Sequence, residues 1–191
     1  SFDRVTEALA TVKLAGARAG TPGTGLEELP GKVNYYIGND RRQWRTGVPT
    51  FAKVRYEGVY PGVDVIYYGN QRHLEYDLVV APGADPGLIE LAFEGVKAVR
   101  LESNGDLVLC TREGELRQHK PRVFQDLAGE RKEIAGRYVI REGNRVGFAV
   151  EDYDGSRALV IDPVLSYSTY LGGGAADTAR AMAVDGEGEC I

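Results

Sequence analysis

The sequence predicts an all-β chain: an antiparallel β-sandwich-like domain of many short strands and hairpins, followed by half of a small repeat sheet. Three observations predict it. Apolar and polar residues alternate with period two along most of the chain, and no helical period is sustained. Gly, Pro, Asn and Asp clusters interrupt the alternation at roughly 8 to 12-residue intervals, the spacing of a sandwich or barrel. The 191 residues are 43% hydrophobic, enough to bury the core of one mid-sized domain.

A first strand is expected at 8–14. Residues 16–31 are rich in Gly, Thr, Pro and Ala without alternation, so 1–31 is expected to be an N-terminal strand and linker. The sandwich-like domain is assigned to 32–163, with strands at 51–56, 63–68, 74–80, 88–93, 98–101, 107–110, 122–126, 134–140, 146–150 and 158–161. The clearest is 74–80: Leu74, Tyr76, Leu78 and Val80 face one way, and Glu75, Asp77 and Val79 face the other. That is a half-buried antiparallel strand.

The turns are chemically specific. Tyr60-Pro61-Gly62 sets Pro where φ is near −65° and Gly where φ is positive, a type II turn. At Asn104-Gly105 the apolar pattern selects the loop length. A three-residue loop, Ser103-Asn104-Gly105, places Leu101 opposite Leu107 and Val99 opposite Leu109, which keeps four large residues on one face. Arg112-Glu113-Gly114, Ala128-Gly129 and Glu142-Gly143-Asn144 mark further hairpins. Pro163 ends the meander, because it cannot continue a ladder. Residues 164–191 then read as a short aromatic strand, a Gly172-Gly173-Gly174 loop, a second strand at 181–184 and a turn, half of a sheet that cannot bury its own face.

Charge and composition exclude some functions. Twenty-three basic and 28 acidic residues give a net charge of −5 and no basic face, so nucleic acid is not an expected partner. No apolar run approaches the roughly 20 residues of a membrane helix, so no membrane span is expected. Cys110 and Cys190 are the only cysteines, too few for a disulfide framework and without metal-ligand spacing.

Three groups of residues carry candidate chemistry. His73, Glu75 and Asp77 lie at i, i+2 and i+4 on one strand face, a candidate ligand-binding trio whose spacing suits a metal or carboxylates paired for acid–base work; the plainer reading is a solvated strand face. Tyr35, Trp44, Tyr67 and Tyr68 are candidate ligand-binding aromatics, whose faces stack while their polar edges hydrogen-bond. Adjacent tyrosines point to opposite sheet faces, so Tyr35-Tyr36 and Tyr67-Tyr68 each send one ring away from a one-sided core. Trp44, beside Arg41, Arg42 and Arg45, is placed to stack on a guanidinium or a ligand. Asp152 and Asp154 are candidate calcium ligands in an Asp-x-Asp-Gly turn, with an ordinary acidic turn as the plainer reading. Gly172-Gly173-Gly174 lacks the Lys and helix of a phosphate loop. His73 and His119 are the only histidines, and no Gly-x-Ser-x-Gly elbow accompanies them.

The blocks "VNYYIGND", "QWRTGVPTFAKVRYEGVYPGVDVIYYGN", "LEYDLVVAPGADP" and "LVIDPVLSYSTYLGG" together resemble an uncharacterised β-rich domain of large bacterial extracellular proteins, which there precedes an array of SBBP-type β-propeller repeats. The resemblance spans residues 33–185 and departs from the repeat pattern at 187–191. It implies an exported, cell-surface or secreted setting, a downstream β-propeller of the same chain as partner, and no catalytic residues. The expected function is a non-catalytic structural or binding module, contacting a glycan or protein at the cell surface and needing no cofactor. The alternatives are a carbohydrate-active or carbohydrate-binding domain using the Glu75/Asp77 face and the tyrosines, and a calcium-stabilised adhesion module.

Overall fold

The computed structural model describes residues 11–70, 73–112, 114–127, 129–163 and 165–166. The expected half-sheet at 167–191 lies outside the described residues, as does Cys190. The described chain is all-β, and every strand ladder in it is antiparallel. In order the strands are β1 (Thr11–Leu14), β2 (Gly23–Tyr35), β3 (Arg45–Tyr60), β4 (Val63–Asn70), β5 (His73–Val80), β6 (Glu90–Glu94), β7 (Ala98–Leu101), β8 (Leu107–Cys110), β9 (Glu115–Gln118), β10 (Arg122–Leu127), β11 (Glu130–Ile134), β12 (Gly136–Arg141), β13 (Arg145–Val150), β14 (Leu159–Asp162) and β15 (Leu165–Ser166). They form a seven-stranded sheet in the order β11-β10-β14-β5-β4-β3-β2, and two four-stranded sheets, β1-β6-β13-β12 and β15-β9-β8-β7.

One core joins the three sheets. Val63, Val65, Leu78, Val80, Leu159 and Ile161 line the inner face of the large sheet, and they cluster with Leu91, Phe93, Tyr138, Val146 and Phe148 of one small sheet and Leu107 and Leu109 of the other. Alternation causes this, since residues two apart share a face. Two buried polar side chains are tied to backbone. The Tyr138 hydroxyl donates to the His119 carbonyl at 2.9 Å. Gln125, 1% exposed, holds the 154–158 loop by donating to the Asp154 carbonyl at 2.9 Å and accepting from the Asp154 amide at 3.0 Å.

The hairpin at Ser103-Asn104-Gly105 has the expected register, with Leu101 opposite Leu107 and Val99 opposite Leu109, and Gly105 is left-handed at φ 91°. Tyr60 pairs with Val63 across Pro61-Gly62, where Gly62 has φ 71°. In β3 the register shifts between Tyr56 and Tyr60. The Asp64 carboxylate holds this bulge, accepting from the Gly58 amide at 2.7 Å and the Arg55 guanidinium at 2.6 Å. Glu57, Gly58 and Val59 stand there against Asp64 alone, and Val59 and Tyr60 are both buried.

Two expectations are corrected. Residues 23–31, expected within a linker, form the first part of β2, which pairs along β3. This strand is exposed on both faces, so it carries no apolar alternation to read. The single strand expected at 134–140 is two strands, because Ile134 ends β11 in the large sheet and Gly136 begins β12 in a small one. Glycine is required at that crossing: a Cβ on Gly136 would lie 2.3 Å from Val123 Cγ2.

Candidate functional site

The outer face of the seven-stranded sheet carries the side chains that alternation turns away from the core. Register defines their rows. On β14 and β5, Val160 pairs with Val79 and Ile161 with Leu78, so the next residues, Asp162 and Asp77, are directly opposed on the outer face. Beyond them Asp77 pairs with Ile66 of β4, and Asp162 with Arg122 of β10. In the adjacent row Lys53 of β3 pairs with Tyr68 of β4, and Tyr68 with Glu75 of β5.

These residues enclose a cleft of about 230 Å³ lined by Lys53, Tyr68, Asp77, Phe124, Arg131 and Asp162. The Tyr68 hydroxyl donates to Asp77 Oδ1 at 2.9 Å. Lys53 Nζ contacts Glu27 Oε1 at 2.6 Å. Arg131 lies over the Phe124 ring, 4.2 Å from its centroid, with Asp126 Oδ1 at 3.5 Å. Asp162 Oδ1 is buried and has no hydrogen-bond partner among the described residues.

Partial burial sets the electrostatics. It raises the pKa of Asp77, against the Tyr68 hydrogen bond and the charges of Arg131 and Lys53. Burial and then the facing Asp77 charge raise that of Asp162. Burial and then Asp77 also push the Tyr68 hydroxyl upward, so it remains a donor at neutral pH. The cleft thus offers two opposed carboxylates favouring proton uptake, a phenol whose proton is given to one of them, and two cations at its rim.

The aromatic and carboxylate candidates separate. Tyr68 and Asp77 meet in the cleft. Tyr67 turns to the core side, edge-on to Tyr56 at 5.8 Å and tilted against Tyr76 at 5.9 Å. Glu75 shares the outer face with Asp77 but does not line the cleft. His73 is described through its backbone, paired with Asn70; its side chain lies outside the described part. Tyr35 and Trp44 sit apart, at the far end of the β2–β3 hairpin, where Arg41 stacks over Trp44 at 5.2 Å and Tyr36 meets it edge-on at 5.1 Å. Asp162, Lys53 and Arg131 were absent from the sequence candidates. Only the β14–β5 pairing, between residues far apart in sequence, brings Asp162 to Asp77.

Of the calcium candidates, Asp154 has its carboxylate engaged: Oδ1 accepts from the Ser156 amide at 3.0 Å and hydroxyl at 2.6 Å, and Oδ2 from Arg157 at 3.2 Å. Asp152 lines a separate, shallow depression with Lys132, Glu133, Ile134, Ala135 and Glu151. Among the described residues no group of three or more His, Cys, Asp or Glu is placed to hold a metal ion, and no helix is long and apolar enough to cross a membrane.

No curated protein matches the chain, and no solved structure does. A sequence model of one family covers residues 3–164, which takes in β1 to β14 and stops just before β15, and the chain belongs to that family, the domain of unknown function DUF7948.

Proposed function

We propose that this domain is a non-catalytic binding module of an exported multidomain protein, leading into a β-propeller, and that it binds a hydroxyl-rich ligand such as a glycan residue in the Tyr68/Asp77/Asp162 cleft. Opposed carboxylates carry the reading. Like charges directly across a ladder destabilise a sheet, and a buried carboxylate oxygen without a donor costs more, so folding alone does not account for the pair. Hydroxyl groups of a ligand would donate to Asp77, to Asp162 and to the Tyr68 oxygen, whose own proton is given to Asp77, while Lys53 and Arg131 donate to its oxygens. The cleft volume, about 230 Å³, lies below the roughly 300–1,000 Å³ of most small-molecule pockets, which suits one sugar ring. The exported setting and the propeller rest on the motif blocks from "VNYYIGND" to "LVIDPVLSYSTYLGG".

The same carboxylate pair favours a second reading, a carbohydrate-active enzyme. Glycoside hydrolysis uses two carboxyl groups held in different protonation states, and directly opposed strand residues set their side chains next to each other on one sheet face. The partner of Asp77 in this reading is Asp162 rather than Glu75. A glycan array probed with the purified chain, followed by reducing-sugar assays on any glycan retained, separates the two. Binding that is lost in Asp162→Ala without turnover is the expected result. Turnover lost in Asp77→Ala overturns the non-catalytic reading, and absence of any glycan binding overturns the ligand class.

A further inference from the structure

The β2–β3 hairpin reaches beyond the rest of the fold. Between residues 27 and 51 no residue is buried, and among the described strands β2 pairs only with β3. Among the described residues, six of the ten exposed large hydrophobics lie on this arm: Leu29, Val33, Tyr35, Tyr36, Ile37 and Phe51. At its tip Tyr35, Tyr36 and Ile37 are consecutive and are 47%, 60% and 63% exposed. The tip is ordered by its own contacts. The Trp44 indole N–H donates to the Gly38 carbonyl at 3.2 Å, and Asp40 caps the Arg41–Gln43 turn and pairs with Arg42 at 3.1 Å.

Charge at the tip opposes that of the chain. Residues 35–45 contain Arg41, Arg42 and Arg45 against Asp40 alone, a balance of +2 in a chain of net charge −5. Aromatic rings with polar edges beside arginines match the chemistry of a bilayer interface, where rings settle at headgroup depth and guanidinium groups meet lipid phosphates.

From this we propose that the hairpin tip, Tyr35 to Arg45, is a docking point for an anionic lipid surface. A protein partner would cover one face of the tip. Consecutive exposed residues in a turn point in several directions, so a medium that surrounds the tip fits their exposure better than a flat partner surface. Tyr36 and Ile37 enter the interface, Trp44 stiffens the turn beneath them, and Arg41, Arg42 and Arg45 lie level with the headgroups.

The chain contains a single tryptophan, so its fluorescence reports on the tip directly. The test titrates the full chain with vesicles of pure phosphatidylcholine and of phosphatidylcholine with 30% phosphatidylglycerol, reading Trp44 emission and co-sedimentation. A blue shift and sedimentation only with the anionic vesicles, weakened by salt, are expected. Ile37→Asp, at an exposed position, should abolish the shift, and Arg45→Gln should weaken binding by roughly fivefold, the worth of one basic residue near such a surface. Unchanged circular dichroism in both variants establishes that folding is intact. Absence of binding to anionic vesicles at low salt overturns the proposal, as does full binding by Ile37→Asp. A Trp44 shift with polyglutamate but not with vesicles overturns it in favour of an acidic protein partner. A concentration-dependent shift without lipid, accompanied by dimers in light scattering, overturns it in favour of a second copy of the chain.

Discussion

Asp77→Asn should stabilise the protein while weakening ligand binding. Asparagine retains the Oδ1 that accepts from Tyr68 at 2.9 Å and removes the charge opposed to Asp162. At about 5.5 Å, two full charges repel by about 3 kcal/mol at an effective dielectric of 20 and by about 0.8 kcal/mol in bulk water. The cleft opens to solvent, and Lys53, Arg131 and Arg122 offset part of the field, so the net gain should be about 0.5–1.5 kcal/mol, or about 1–6 °C in Tm for a chain of this size. The pH dependence has a defined sign. Asp77 and Asp162 both have raised folded-state pKa values, so the stability from their neutral forms is complete below the unfolded value of about 3.9. It is lost as pH rises through that value and then through the folded one. The advantage of the variant should therefore be small near pH 3.5, grow with pH and level off above the folded-state values. Urea unfolding from pH 3.5 to 8 measures it. Destabilisation at pH 7, or a difference that does not vary with pH, would refute the reasoning.

Asp106 should behave in the opposite sense. Its side chain is 11% exposed, and although burial raises its pKa, hydrogen bonds from the Lys120 amide, His119 and Asn104 outweigh this and hold it low. Asp106→Ala should cost about 2 kcal/mol at pH 7, since it removes bonds to a charged acceptor. That cost should fall as acid protonates the wild-type carboxylate, as read from the same urea series. At the crossing between sheets, Gly136→Ala sets a methyl 2.3 Å from Val123 Cγ2 and should cost about 1–3 kcal/mol by overpacking. Adding Val123→Ala should recover part of that loss in a double-mutant cycle, and strict additivity would contradict the contact.

The sequence revealed the fold wherever one strand face is dry and the other wet. Strand β8 is buried on both faces, Val108 as well as Leu107 and Leu109, and its turn at Asn104-Gly105 was legible because only the three-residue loop sets Leu101 opposite Leu107 and Val99 opposite Leu109. Strand β2 was hidden by its exposure on both faces. Strand β11, Glu130–Ile134, was hidden because only Ile134 is buried. In the site, Tyr68 and Asp77 were legible as outward residues of β4 and β5. Asp162 was not, because a local pattern shows which way a residue faces but not which distant strand lies beside it. Apart from Tyr68 in the cleft, the candidate aromatics belong to two separate groups of rings. Tyr56, Tyr67 and Tyr76 pack at the core margin, and Tyr36 and Trp44 order an exposed tip.

Cleft and tip occupy one sheet without competing for it. Lys53, at the cleft, and Arg45, at the base of the tip, are eight residues apart on β3, about 25 Å along an extended strand. A surface docked at the tip would therefore leave the cleft open to a soluble ligand, and the tip variants should leave ligand affinity unchanged. The energies also suit a site held ready for binding. A ligand at one hundred times its Kd stabilises the folded chain by about 2.7 kcal/mol, more than the 0.5–1.5 kcal/mol assigned above to repulsion between Asp77 and Asp162. The bound state then offsets the strain of the empty one. A pair whose charge costs stability, and whose neutralisation by Asp77→Asn both restores it and removes ligand affinity, would mark a binding site rather than a structural ion cluster.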